Sequence, residues 1–207
     1  QALQDGTTAN RALAVTVALS FLLLLAAALL VFQISREAAG AEAAVVHTLS
    51  VKQASSDLLS MLSTAESGQR GFLITRDERL LAPLHALRRD LDEKLGELQG
   101  LVSDNPAQGA RLEELTPMII ERLGAIQQTL SLTEAGRQSE AARVVVERGA
   151  PLMEQVRRRF AQFQAAEDQL LLARQQHAAA ISQQFLRAVT AMLVAWRILA
   201  GFALISV

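Results

Sequence analysis

The sequence predicts an all-α protein, an antiparallel four-helix bundle held between two transmembrane helices. Three observations predict it. Apolar residues make up 51% of the 207 positions and charged residues only 20%, an excess that a soluble chain seldom carries. Four Pro, no Tyr and 4% aromatics beside abundant Ala, Leu, Gln, Glu and Arg favour helix and leave sheets without their usual packing residues. Large apolar residues recur every three or four positions through most of the chain, the period of one helical face. The charge balance also excludes classes of function. Twenty Lys and Arg against 21 Asp and Glu give a net charge of -1, with no basic footprint for nucleic acid. Without Cys the chain has no thiol catalysis, thiolate metal site or disulfide framework.

From Ala12 to Ser35 the chain carries no charge. At about 1.5 Å per residue this run exceeds a hydrocarbon core of about 30 Å, so 12–35 is expected to span a membrane. A signal-peptide core is shorter, about 7 to 15 residues, and ends in a small-residue cleavage site. Residues 36–66 contain no Pro and a single Gly, so the span is expected to continue as the first bundle helix, with Leu59, Leu62 and Glu66 on one stripe. Thr75 to Glu78 has the form of a capping box that would start the second helix after a turn. Leu80, Leu84, Leu87, Leu91, Leu95 and Leu98 then mark its apolar face, and Pro83 calls for a kink or a later start. The run from Ser103 to Gly109 is a turn signal. A third helix follows on Leu112, Leu115, Ile119, Leu123, Ile126 and Leu130, bent at Pro117. A short helix or loop is expected over Glu134 to Gly149, and Pro151 suits the first turn of a fourth helix. Its stripe of Leu152, Val156, Phe160 and Phe163 runs on through Glu167, Leu170, Arg174, His177 and Ile181, with no Pro or Gly before the second apolar stretch. That stretch, 188–207, is the expected second span. Arg197 lies near its middle, where an Arg costs about 2.5 to 3.5 kcal/mol on insertion scales, and is expected to face a partner helix, snorkel or interrupt the apolar register.

The junction of the first two bundle helices reads AESGQRGFLITRDERLLAPL. It resembles the CHASE domain of the third subtype, an extracytoplasmic sensor of bacterial signalling receptors. Glu66, Gly68, Gln69, Arg70, Gly71, Phe72, Leu73, Ile74, Thr75, Asp77, Glu78 and Pro83 match the hallmark of that family, while Ser67 stands where Thr is usual and Arg76 where Gly is usual. Glu167, Leu170, Leu171, Leu172 and Arg174 resemble its closing motif. The resemblance implies a domain of residues 36–187 outside the cytoplasmic (inner) membrane, a cytoplasmic segment over 1–11, membrane lipid as a partner, a homodimer, and an extracytoplasmic ligand or partner protein. It further implies control of a histidine kinase, cyclic-di-GMP enzyme or chemoreceptor output. The chain begins without Met and stops at the end of an apolar stretch, so a fragment is expected, with an output region beyond Val207.

The residues themselves support two readings of the hallmark. Glu66 and Arg70 are four apart with the acid first, the better orientation for a helical ion pair, and Gly68, Gly71 and Thr75 are expected to form a close-packing turn. Glu66, Gln69 and Arg70 would then join Glu167 and Arg174 in a buried structural or signalling network; ligand contact is the other reading. No catalytic residue, cofactor or metal is expected. His47, His85 and His177 fall on three helices without ligand spacing, no phosphate loop or nucleophile elbow is present, and the run Arg157, Arg158, Arg159 reads as a solvated face. The expected function is therefore the sensory and transmembrane region of a signalling receptor, not an enzyme. The alternative is a membrane-anchored helical scaffold that docks a protein without signalling.

Overall fold

A computed structural model describes the backbone of residues 2–205 and the side chains of 14–198 and 201. The expected cytoplasmic segment 1–11 lies outside the described side chains, and positions 206 and 207 of the expected second span lie outside the described residues. Among the described residues five α-helices follow in order: α1 (Ala2–Thr75), α2 (Ala82–Leu101), α3 (Pro106–Glu134), α4 (Gln138–Arg143) and α5 (Ala150–Ile205). A 3-10 turn, Glu78–Leu81, leads into α2, and a π-helix, Val144–Gly149, joins α4 to α5. No strand occurs among the described residues.

The chain divides into two compact units, 46–171 and the pair of stretches 1–45 and 172–207. The larger unit is the all-α bundle. Pairings across helices fix its directions: Lys52 meets Asp168 and Arg157 meets Glu66, so α5 runs opposite to α1. His47 lies beside Asp104 at one end, while Gly68 packs on Leu80 at the other, so α2 also opposes α1. Gln108 reaches Glu167 and Arg159 reaches Glu114, which sets α3 against α5. Between the helices lies one apolar core that includes Leu58, Leu62, Leu87, Leu98, Ile119, Ile126, Phe160 and Phe163.

Local chemistry explains where helices stop. The first bundle helix does not end near Glu66; α1 continues to Thr75 and closes on Arg76, whose N–H donates to the Phe72 carbonyl at 2.8 Å. Arg76 takes a left-handed φ of 60°, a conformation that glycine adopts without penalty. The expected cap at Thr75 is replaced by Asp77, which accepts from the Arg79 N–H at 3.0 Å. The Arg79 guanidinium beside it holds the Asp77 carboxyl below the ordinary carboxylate range. Helix α2 then starts late, with Pro83 in its first turn, where the missing N–H is harmless. Asn105 caps α3 by accepting from the Gln108 N–H, with Pro106 at the first helical position. At the far end Gly136, with φ of 76°, completes a Schellman closure in which Arg137 donates to Leu132 and Gly136 to Thr133. Where Glu134 to Gly149 was expected as a short helix or loop, α4 and the π-helix fill most of it and run directly into α5. Pro151 follows the widened turn, and its ring would press on a carbonyl of the preceding turn in a regular α-helix.

In the smaller unit the Arg174 guanidinium donates to the Ala44 carbonyl at 2.8 Å, and Ala41 and Ile181 are buried. Val15, Phe21, Leu22, Leu25, Leu29 and Phe32 of α1 leave their side chains exposed, as do Leu193, Val194, Trp196 and Ile198 of α5. Both helices are long and apolar enough to cross a membrane, and almost none of either apolar window is buried. Arg197 is exposed among these residues.

Candidate functional site

Stripe geometry brings a charged cluster into the bundle. On α1 the buried face is Val51, Ser55, Leu58, Leu62, Ala65, Gln69 and Phe72, steps of three and four that place Glu66 at its margin. Leu58, not the expected Leu59, holds the central position, because Ser55 and Ala65 make the true stripe look weakly apolar in sequence. On α3, Leu115, Ile119 and Ile126 flank Arg122, so the side chain of Arg122 enters the same interior.

Glu66 divides its carboxylate between two helices. Its Oε1 accepts from Arg122 Nη2 at 3.3 Å, and its Oε2 accepts from Arg157 Nη2 at 2.8 Å. Gln69 Oε1 lies 3.5 Å from the same Nη2. The Arg122 side chain is 4% exposed and that of Arg157 45% exposed, so one partner is interior and the other opens on solvent. Burial pushes the Arg122 guanidinium below its ordinary range and Glu66 counteracts it. Arg122 stays charged at neutral pH, because a guanidinium titrates far above it. Gly149, at the end of the π-helix, lies against Arg122: a Cβ there would sit 3.6 Å from Nη1.

Of the expected network, Glu66 and Gln69 come together; Arg70 stays on the surface close enough for its charge to act on Arg122, and Glu167 and Arg174 lie elsewhere. Arg70 is exposed and donates to Ser67 at 3.4 Å, not to Glu66. One residue past Gln69 on the helix, it is turned about 100° further from the core face, and its long stem follows solvent. Glu167 is buried in a separate pair, accepting from Gln108 Nε2 at 2.5 Å. Arg174 belongs to the smaller unit. Gly68 and Gly71 do not form a turn. They lie within α1, where a Cβ on Gly68 would come 2.2 Å from the Leu80 carbonyl oxygen and one on Gly71 2.8 Å from a Leu80 methyl. Thr75 bonds locally, donating to the Gly71 carbonyl and accepting from the Asp77 N–H.

Arg122, Arg157 and Gln108 were missed by sequence reasoning. Arg157 is not part of a wholly solvated run: only Arg158 and Arg159 are confined to surface ion pairs, with Glu154 and Glu114. Arg122 and Gln108 did leave a signal, since both fall in phase with Leu112, Leu115 and Ile119. Among the described residues no group of His, Asp and Glu is arranged to hold a metal ion.

The bundle thus ties its first, third and last helices through one shared carboxylate, and its first and last helices extend into exposed apolar stretches. The family model of the CHASE3 domain matches residues 41–177. The sensor domain of the histidine kinase HK9 from Rhodopseudomonas palustris is similar at 27% identity, with a TM-score of 0.54, over 59% of this chain and 97% of that one. No curated protein matches the chain. The chain therefore belongs to the CHASE3 domain family, a family of non-catalytic extracytoplasmic sensor domains. It is the sensory region of a signalling receptor.

Proposed function

We propose that this region serves a receptor of the histidine-kinase type. Its apolar stretches, 12–35 and 188–207, cross the inner membrane, 36–187 lies on the periplasmic side, and two copies act as a homodimer. A stimulus on the bundle changes how α5 sits against α1, and the two helices carry that shift across the membrane. The observation that carries this reading is the continuity of α5, helical from Ala150 to Ile205 without Pro or Gly between Leu152 and Trp196. The likeness to a histidine kinase sensor domain supports the receptor type, and exposed Val46 and Leu49 on α1 give a second copy apolar surface to meet. Movement between two packed arrangements is a general way in which packed helices switch.

The test uses phase. A helix turns about 100° per residue, so one residue inserted beside Gln183 misdirects everything beyond it, whereas seven nearly restore the phase. Kinase output of the intact receptor is expected to be disturbed by the single insertion and largely recovered by the heptad insertion. Equal output from the parent and both variants would make the junction a flexible tether and favour the scaffold.

A further inference from the structure

Within the smaller unit α1 and α5 leave a cavity of about 540 Å³ between them, a size that suits a small molecule or a lipid chain. Its walls are mostly apolar, with Ile34, Ala38 and Val45 on α1 and Ala178, Ile181 and Phe185 on α5. Short side chains at Ala38, Ala178 and Ser182 leave the gap open. Its length suits a chain. From Ile34 to Val45 is eleven residues of α1, about 16 Å, and the hydrocarbon of one leaflet is about 15 Å deep. Val31 and Val189 stand seven residues from Ala38 and Ser182, nearly in phase with them, and carry both walls into the exposed apolar stretches. An acyl chain thus passes from leaflet to cavity along one apolar surface.

Charge selects the head group. Glu42 is the one charged residue of the lining; it is exposed, and its carboxylate has neither an ion-pair nor a hydrogen-bond partner among the described residues. Arg174 is turned to the Ala44 carbonyl. Arg36 and Arg187 are close in sequence, but each stands two residues, about 200° of turn, from a wall residue, Ala38 or Phe185, and neither lines the cavity. An anionic head would meet a carboxylate and no cation, whereas an ammonium would meet its complement. Glu42 also lies seven residues, about 10 Å, beyond Ser35, where the uncharged run ends, and head groups reach only about 5 to 8 Å past the hydrocarbon. A lipid whose amine meets Glu42 is therefore raised, and its lifted methylenes lie against Ile34, Ala38, Ile181 and Phe185 instead of water.

We propose that this cavity takes one phospholipid with a primary-amine head from the periplasmic leaflet, its ammonium against Glu42 and one acyl chain along the apolar walls. The site rests on the membrane topology proposed above and adds a lipid ligand to the two helices that carry the signal.

Thermal unfolding of the full chain in dodecyl maltoside micelles, followed by its helical signal, tests the site. Dioleoyl phosphatidylethanolamine and dioleoyl phosphatidylglycerol, alike in their chains, are added separately. At tenfold excess of the ethanolamine lipid over its dissociation constant the midpoint is expected to rise by about 3 to 5 °C and to saturate, and the glycerol lipid should bind about tenfold more weakly. Glu42→Gln should erase that preference, and Ala178→Leu, which fills the cavity, should abolish the response to both. An equal rise with both lipids in the unaltered chain, or a rise that survives Ala178→Leu, would overturn the proposal. So would a flat response to the ethanolamine lipid, and a midpoint that then climbs with protein concentration would give the cavity to a second copy. Should Ala178→Leu fail to fold, mass spectrometry of the unaltered chain released from micelles holding both lipids decides: one ethanolamine lipid retained per chain is expected, and a bare chain or equal retention of the two refutes the site. Carbonate washing of membranes tests the spans separately. A chain that stays with the membranes but ignores the lipid loses the site alone, whereas a chain that washes off refutes the topology and the site with it.

Discussion

Glu66 is the residue on which three helices converge, and its surroundings dictate what each neighbour contributes. Removing one member of a buried pair leaves an uncompensated charge, which costs about 3 to 5 kcal/mol. Exposed pairs lose at most about 1 kcal/mol. Arg122→Ala should therefore destabilise the chain by the larger amount, while Arg70→Ala should fall within the smaller, although Arg70 is the member of the pair that lies nearest Glu66 in sequence. Urea unfolding of both variants checks this, and comparable losses would mean that Arg70 carries a burden its exposed position does not support. Glu66 and Gln69 were legible because they stand in a short, dense motif. Arg122 was not, because it lies 56 residues from Glu66 and nothing local joins the two. An Arg in a leucine stripe is a sign of such a partner, and both Arg122 and Gln108 carried that sign.

At the scale of elements, the four long helices and the apolar faces of α2, α3 and α5 could be read from periodicity, since burial of Leu follows spacing directly. Ends were harder. Helix α1 passes through Gly68 and Gly71 because glycine there answers to its neighbour Leu80 and not to the backbone, and sequence alone does not distinguish a glycine that bends a chain from one that admits another. Substitution by alanine separates the cases. Gly68→Ala should cost about 1 to 3 kcal/mol, because the contact at 2.2 Å is with a backbone oxygen that cannot turn aside. Gly136→Ala should cost about 1 kcal/mol through its φ of 76° alone, with nothing near the new methyl. Gly40→Ala, within α1 and facing open space, should stabilise by about 0.5 to 1 kcal/mol. Melting curves of the three variants should thus differ in sign as well as size, and a neutral Gly68→Ala would show that α1 and Leu80 can part without penalty.

Over the whole molecule, the broad architecture was the most legible feature, because an uncharged run from Ala12 to Ser35 and a three-four rhythm leave few alternatives. The π-helix was invisible, since wide turns have no composition of their own. Yet it alters what the chain can tolerate. Val144–Gly149 spend more residues per turn than an α-helix does, so this stretch holds surplus length. Deleting exposed Val146 together with Pro151→Ala should convert 138–205 to regular helix and leave Glu66 paired with Arg157, at little loss in melting temperature. Deleting exposed Gln162 should instead swing everything beyond it by about 100° and unfold the bundle. The π-helix is thus an expansion joint: chains of this family that differ in length by one residue should have gained or lost it there, while their α5 segments stay of one length from Pro151 onward.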